Sequence, residues 1–208
     1  YRNPVFALLE GLAVPSKGLI GPWAHTYPDQ GAPGPPIGFL QESLRWWDRW
    51  LRGSENGIEH EPRLCAWIAE PFAPGPHDEL PGRWVVEPGW PTANVDLHRL
   101  ALTRDGGLAE GDTAEAELRV HGLQTAGIDS RWVFSDDQRA EDGRALSFTS
   151  APLEDRVELL GRPRLELAFA SDRPLALASV RLCDVAPDGV SSVKTWISNV
   201  PCLVGSVA

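Results

Sequence analysis

The feature that most constrains the fold is a change in the sequence pattern at about residue 62. From there the chain consists of short apolar runs separated by glycine and proline, with turn signals at Asp105-Gly106-Gly107 and Pro187-Asp188-Gly189. The clearest alternation lies in 164–170, where every second residue is leucine or phenylalanine. Further strands are predicted at 64–69, 84–86, 97–102, 116–120, 145–149, 157–160, 177–185 and 193–197. Many short strands without intervening helices predict a mainly β fold, a sandwich or a jelly roll.

The first twenty residues predict a helix followed by a short strand. Asn3 is suited to cap a helix that ends near Gly11. The apolar stripe of this helix is predicted to consist of Val5, Leu8, Leu9 and Leu12. Residues 18–21 follow as an apolar run without alternation, which favours a strand that is buried on both faces.

Residues 39–52 predict the longest helix, because their apolar residues recur at helical spacing and Gly53 follows as a stop signal. One face of this helix carries Leu40, Leu44, Trp47 and Leu51. We expect the helix to pack against its own sheet and against the domain that follows. The predicted domains are therefore 1–58, a helix-strand-helix piece, and 59–208, the β-sandwich.

Charge and composition disfavour several classes of partner. A net charge of -10 and a pI near 4.9 disfavour binding to nucleic acid or to anionic lipid. No apolar stretch has the length needed to span a bilayer, and we expect a cytoplasmic protein. Cys65, Cys183 and Cys202 are widely spaced without a Cys-x-x-Cys pair, which predicts buried thiols. The chain contains no methionine, so we expect that Tyr1 is not the natural N-terminus.

The sequence predicts no cofactor and no metal site. Four histidines lack the close ligand spacing of metal sites: His60, His77, His98 and His121. The acidic segment 136–142 allows a calcium site or an acid pair, but the interleaved Arg139 and Arg144 favour a salt-bridged loop or an interdomain contact. Four serines lack a nucleophile-elbow context and are predicted to be cap or loop residues: Ser16, Ser43, Ser54 and Ser135.

The residue with the most direct chemical interest is His25, which closes the run Gly-Pro-Trp-Ala-His just beyond the predicted strand at 18–21. In α/β-hydrolases the triad histidine follows a late strand of the sheet and serves as base to a serine. No Gly-x-Ser-x-Gly elbow exists in the 208 residues. On this evidence alone, an ordinary loop histidine beside Trp23 is the favoured interpretation.

Several segments of the chain, including the one around His25, favour the triad interpretation of His25 over that of an ordinary loop histidine. The segments that matter are KGLIGPWAH (17–25), WWDRWLRG (46–53) with Asn56-Gly57, DQRAED (137–142), SAPL (150–153) and RLCDVAPDG (181–189). In order and approximate spacing, the chain from Tyr1 to Gly189 resembles the CocE/NonD-type hydrolases, which include cocaine esterase and the Xaa-Pro dipeptidyl-peptidases.

The resemblance implies that His25 is the base of a Ser-Asp-His triad. It also implies that the serine lies far upstream and the aspartate just before Tyr1. It makes 1–58 the end of an α/β-hydrolase domain and 59–208 a jelly roll of the galactose-binding-like kind. We therefore expect a serine hydrolase that cleaves an ester or amide, such as an Xaa-Pro dipeptidyl bond, through an acyl-enzyme, with this chain inert by itself.

Two further alternatives stay open at this point. The chain could be a noncatalytic module that binds carbohydrate, peptide or a partner subunit, for which Trp84, Trp90 and Trp132 are the candidate platforms. Another chain could instead supply the missing hydrolase half. The predicted partners are a small ester or peptide substrate, and either a second copy or that missing half, with no nucleic acid and no membrane.

Overall fold

The computed structural model describes residues 2–111, 113, 116–120, 137–168, 170–172 and 175–203. The chain divides into two compact units. Unit 1 comprises Tyr1–Phe72, Pro76–His98 and Arg156–Arg162, and unit 2 comprises Ala73–Gly75, Arg99–Asp155 and Pro163–Ala208. The domain boundary near residue 58 stays a prediction.

Unit 1 contains the predicted order of helix, strand and helix. Its elements are α1 (Arg2–Gly11), β1 (Gly18–Ile20), α2 (Phe39–Arg52), the 3-10 turn Ile58–His60, β2 (Leu64–Ala69) and β3 (Gly82–Glu87). The strands form one sheet in the order β1-β2-β3, with β1 parallel to β2 and β2 antiparallel to β3. The strand that precedes His25 is thereby joined to a strand from the β-rich part of the chain.

The core of unit 1 lies between α1 and this sheet. Its buried members are Phe6, Leu9, Ile20, Leu64 and Ala66. Side chains of β2 alternate, so Leu64, Ala66 and Ile68 all point to the buried side. Burial of these apolar side chains is the main source of stability of the unit.

The predicted stripe of α1 is wrong in part. Leu8 and Leu12 are exposed, at 54% and 43%, whereas Phe6 is buried. The Phe6 ring packs against Trp90 with centroids 4.6 Å apart, and this long-range contact sets which face of the helix is turned inward. The helix also begins at Arg2, so Asn3 lies inside its first turn and does not cap it.

The helix α2 has the predicted bounds, but its packing differs from the expectation. Gly53 ends it in the left-handed conformation at φ 71°, and its N–H donates to the carbonyl of Asp48. None of the residues of α2 is buried. The helical spacing favours core positions for its tryptophans, and this prediction is wrong for Trp47 and Trp50, which are exposed by 54% and 38%.

The described residues of unit 2 form two antiparallel pairs and a short helix. These elements are β4 (Leu100–Leu102), β5 (Leu108–Glu110), α3 (Arg139–Asp142), β6 (Leu175–Val185) and β7 (Ser191–Leu203), with β4 paired to β5 and β6 paired to β7. Both predicted turns are present, with Gly106 at φ 86° and Gly189 at φ 85°. The chain is mainly β, as predicted, while the jelly-roll arrangement stays a prediction.

Several predicted strands are not strands in the structure. The described residues within 116–120, 157–160 and 164–170 have no strand assignment, and 145–149 contributes only a single bridge, from Thr149 to Gly107. Phe169 lies outside the described residues. Alternation shows which face of a strand would be buried, but a strand also needs a neighbouring backbone to bond. In 164–168 that neighbour is lacking within the described residues, and Leu167 is 54% exposed.

Candidate functional site

His25 lies five residues beyond the end of β1, in the loop that follows the carboxyl end of that strand. The side chain is exposed. Because β1 runs parallel to β2, the carboxyl ends of both strands lie at the same edge of the sheet, which is where open α/β sheets place their ligands. The position is compatible with contact to a substrate or to another part of a larger protein.

Hydrogen bonds hold both neighbours of His25 in the chain. The Ala24 N–H and the Thr26 hydroxyl both donate to the carbonyl of Ala32, at 3.2 and 3.3 Å. The Trp23 indole N–H donates to the carbonyl of Pro35 at 2.8 Å. The loop therefore holds the histidine at a defined place although its side chain faces solvent.

A chain of tryptophans joins this loop to the sheet. The Trp23 ring lies 6.1 Å from that of Trp84 on β3, and Trp84 lies 5.3 Å from Trp67 on β2 in an edge-on arrangement. Gly21 makes room for this packing, because a Cβ there would lie 2.5 Å from the Trp23 ring. The link from β3 to the loop could not be predicted, since the sequence carries no signal that pairs Trp23 with Trp84.

The tryptophans proposed as binding platforms have structural roles in unit 1. Trp84 is held between two other indoles, as described above. Trp90 packs against Phe6 and donates its indole N–H to Glu10 at 3.1 Å. Trp132 lies outside the described residues. Neither described tryptophan is a free aromatic face of the kind that stacks on sugars.

A cluster of charged side chains lies where β1 begins. Lys17 forms ion pairs with Glu42, at 3.5 Å, and with Glu61, and Arg45 pairs with both of these carboxylates. The hydrogen bond from Lys17, followed by that from Arg45, holds the pKa of Glu61 below its usual value. The hydrogen bond to Glu61, with a smaller contribution from that to Glu42, raises the pKa of Arg45. The cluster fixes α2 to the start of β1, and Lys17 is engaged in ion pairs within it.

A cavity of about 440 Å³ opens beside this cluster. It is lined by residues that include Lys17, Leu19, Gln41, Cys65 and Trp84, while His25 is not among its lining residues. Burial raises the pKa of the Cys65 thiol, so the thiol is protonated at neutral pH and is a poor nucleophile. Nothing in this environment activates the Cys65 thiol as a nucleophile.

The acidic segment of unit 2 is salt-bridged, as the interleaved arginines predict, but its residues 139–142 form the helix α3 and not a loop. Asp137 pairs with Arg139 at 2.6 Å and accepts the backbone N–H of Ser191 at 3.1 Å. Arg181 on β6 donates to the buried Gln138 and to Asp142, the latter at 3.0 Å. The contacts with Arg139 lower the pKa of Asp137. Asp136 lies outside the described residues.

The remaining candidates are scattered. His60 ends the 3-10 turn, His77 meets Phe72 edge-on at 5.5 Å, and His98 is exposed. His121 and Ser135 lie outside the described residues. Within the described ranges, no three His, Cys, Asp or Glu side chains are grouped so that they could hold a metal ion. Over the same ranges, none of the helices has the length and apolar character needed to cross a membrane.

Comparison with known proteins gives a family and a small set of relatives. Residues 56–200 match the family described as X-Pro dipeptidyl-peptidase C-terminal non-catalytic domain. A protein of Mycobacterium bovis and one of Mycobacterium tuberculosis, each named "putative serine esterase", are 27% identical over 82% of this chain and 28% of their own length. A "putative Xaa-Pro dipeptidyl-peptidase" of Streptomyces avermitilis is 26% identical over 70% of this chain and 20% of its own length. No solved structure matches the chain.

Proposed function

Because the chain belongs to the family of X-Pro dipeptidyl-peptidase C-terminal non-catalytic domains, we propose that it is the C-terminal part of a serine hydrolase and that His25 is its catalytic base. The chain spans about a quarter of the length of the curated relatives that it matches. The family match begins at residue 56, after His25. This supports a division into a short catalytic piece, 1–58, and a noncatalytic β domain of the jelly-roll type, 59–208.

The observation that carries the proposal is the placement of His25. An exposed histidine lies just past the carboxyl end of a parallel strand, and both of its neighbours in the chain are held by hydrogen bonds. A triad base needs these properties, because it must meet a serine from outside this chain in one defined orientation.

In the proposed reaction the His25 imidazole takes the proton from the serine hydroxyl as the oxygen attacks the carbonyl carbon of the substrate. The protonated ring then gives this proton to the leaving alcohol or amine, which yields the acyl-enzyme. In the second half of the cycle the same ring activates a water molecule that releases the acyl group. A carboxylate from the preceding part of the polypeptide would orient the imidazole.

The substrate is proposed as a class, an ester or an amide that includes Xaa-Pro peptides. The names of the relatives support both, since two are described as esterases and one as a dipeptidyl-peptidase. We also propose a cytoplasmic location, which the free thiols of Cys65 and Cys183 support.

The test is a histidine substitution in the polypeptide encoded by the complete reading frame. Its activity is measured on p-nitrophenyl acetate and on Ala-Pro-p-nitroanilide, which also separates the two substrate classes. We expect His25→Asn to lower kcat/KM by about 10⁴-fold or more, as removal of a triad member does in other serine hydrolases. His98→Asn, a change at another exposed histidine of unit 1, should leave activity unchanged. Activity of His25→Asn within tenfold of the parent would contradict the assignment.

The second candidate function, a noncatalytic interaction module, is favoured by the description of the matched family itself. It applies to residues 56–200 and makes no statement about His25. If the complete polypeptide shows no hydrolase activity on either substrate, this candidate takes precedence. The packed positions of Trp84 and Trp90 speak against carbohydrate stacking as its mode of binding.

A further inference from the structure

The helix α2 is turned with its apolar face outward. Its stripe of Leu40, Leu44, Trp47 and Leu51 is exposed by 65%, 60%, 54% and 75%. Single exposed leucines are common on protein surfaces, but three leucines and a tryptophan on one face over three turns form a contiguous apolar strip. We refer to these four residues as the α2 stripe.

Charged and polar contacts hold the opposite face of α2 to the rest of unit 1. Glu42 and Arg45 belong to the ion-pair cluster with Lys17 and Glu61. One turn further along, Arg49 pairs with Glu59 at 2.9 Å. The Asn56 side chain also donates to the carbonyl of Arg45 at 2.7 Å.

This orientation is the reverse of the usual one for an amphipathic helix. A surface helix normally turns its apolar stripe toward the core and its charges toward water. Here three charged residues of the helix have defined partners in unit 1, so the helix cannot rotate its stripe inward without losing them. The stripe is therefore presented to something beyond the residues that the structure describes.

We propose that the α2 stripe is the docking surface for the hydrolase portion that the curated relatives carry outside their match to this chain. This inference rests on the proposed function. The matched region is only 28% or 20% of those relatives, so most of their length is available to cover the stripe. In addition, β1, which carries the loop to His25, pairs only with β2 among the described residues, and its other edge is open for a further strand.

The size of the stripe favours a covalently linked partner over a second copy. Four side chains are far fewer than the roughly 20–30 residues per side of a stable interface between separate proteins. A partner on the same polypeptide meets the stripe at a high effective concentration, so a small contact suffices to hold it. The stripe itself contains no charged residue, and its occupant should therefore be an apolar surface.

The test compares thiol labelling in the complete polypeptide with labelling in the 208-residue chain. The variants are Leu44→Cys, on the stripe, and Leu97→Cys, at a leucine of unit 1 that is 91% exposed. Each is treated with a maleimide, and labelling is measured on the peptide that contains the new cysteine. We expect the Leu44→Cys thiol to react at least tenfold more slowly in the complete polypeptide, and the Leu97→Cys thiol to change by less than threefold.

Three results would overturn the inference. Equal labelling of the Leu44→Cys thiol in the two proteins means that the stripe stays open. Slow labelling already in the 208-residue chain at low concentration means that residues of this chain cover it. Slow labelling only at high concentration, with a dimer seen by light scattering, means that a second copy does.

A second variant separates this inference from the proposed function. The double change Leu44→Glu with Leu51→Glu should leave the thermal midpoint of the 208-residue chain within about 2 °C and lower that of the complete polypeptide by more than 5 °C. Hydrolase activity that depends on His25, together with an unshifted midpoint, would refute the docking surface and leave the function standing. A protected Leu44→Cys thiol in a polypeptide without hydrolase activity would refute the function alone.

Discussion

Replacement of Leu64 by alanine should destabilise unit 1 strongly, because this residue joins the strand before His25 to the β-rich part of the chain. Leu64 has no solvent exposure and packs with Phe6, Leu9 and Ile20. It also pairs in register with Gly18 at the start of β1. The prediction therefore tests whether β1 is fixed on β2 as the structure has it.

The expected magnitude follows from the burial of the side chain. Leu64→Ala removes three carbon atoms, which at about 0.8 kcal/mol for each buried methylene amounts to roughly 2.4 kcal/mol. The cavity that remains adds to this value, so we expect the free energy of unfolding to fall by about 3 kcal/mol, within the range of roughly 2–5 kcal/mol for buried leucines. A change of this size shifts the ratio of folded to unfolded chains by about a hundredfold.

The assay is urea unfolding followed by tryptophan fluorescence, which reports on unit 1 because Trp23, Trp67 and Trp84 are packed there. The midpoint should fall by about 1–3 M with little change in slope. Leu97→Ala is the control, since this leucine is 91% exposed and should change stability by less than about 0.5 kcal/mol. If Leu64→Ala unfolds at the same midpoint as the control, the packing of β1 on β2 is wrong.

Three further predictions concern groups around the candidate site. The two cations that pair with Glu61 depress its pKa in the folded state, so the pairing should stabilise the chain above the unfolded pKa of about 4.5 and lose this effect as the pH falls through the depressed pKa. Glu61→Gln should therefore cost about 1 kcal/mol or less at pH 7 and a smaller amount at pH 3, by urea unfolding, and an equal cost at both would contradict the pairing. Gly82→Ala should lower the free energy of unfolding by roughly 1–3 kcal/mol, because its Cβ would lie 2.4 Å from the carbonyl oxygen of Ile68. Gly89→Ala, where a Cβ has open space, should be near neutral, and equal thermal midpoints of the two variants would refute the close approach at Gly82. The Cys65 thiol should react with an aromatic disulfide at pH 7.5 at least tenfold more slowly in the native chain than in urea, because burial raises the pKa of this thiol. Equal rates would show that the thiol is not shielded in the folded chain.

The features that could be predicted from the sequence are those with local signals. The bounds of α2 follow from its repeat and from Gly53, whose left-handed conformation ends the helix as expected. The strands β1 and β2 and the turns at Gly106 and Gly189 are likewise predicted from local residue patterns. Each of these depends on residues that are near in sequence, so the pattern contains the necessary information.

The features that could not be predicted depend on contacts between distant residues. The stripe of α2 is visible in the sequence, but its outward orientation is set by ion pairs of Lys17 with residues 25 and 44 positions away. Likewise, 164–168 has the alternation of a strand but no neighbouring strand among the described residues. The position of His25 was predicted from a resemblance, and no periodicity shows that Trp23 and Trp84 hold its loop.

The most direct measurement is the mapping of a fluorophosphonate label on the polypeptide encoded by the complete reading frame. The probe reacts only with a serine that is activated by a nearby base. We predict stoichiometric labelling of one serine that lies outside the 208 residues, loss of that labelling in His25→Asn, and no labelling of the 208-residue chain alone. Labelling of a serine within this chain, or full labelling of the His25→Asn protein, would contradict the assignment of His25 as the base for a serine supplied from elsewhere.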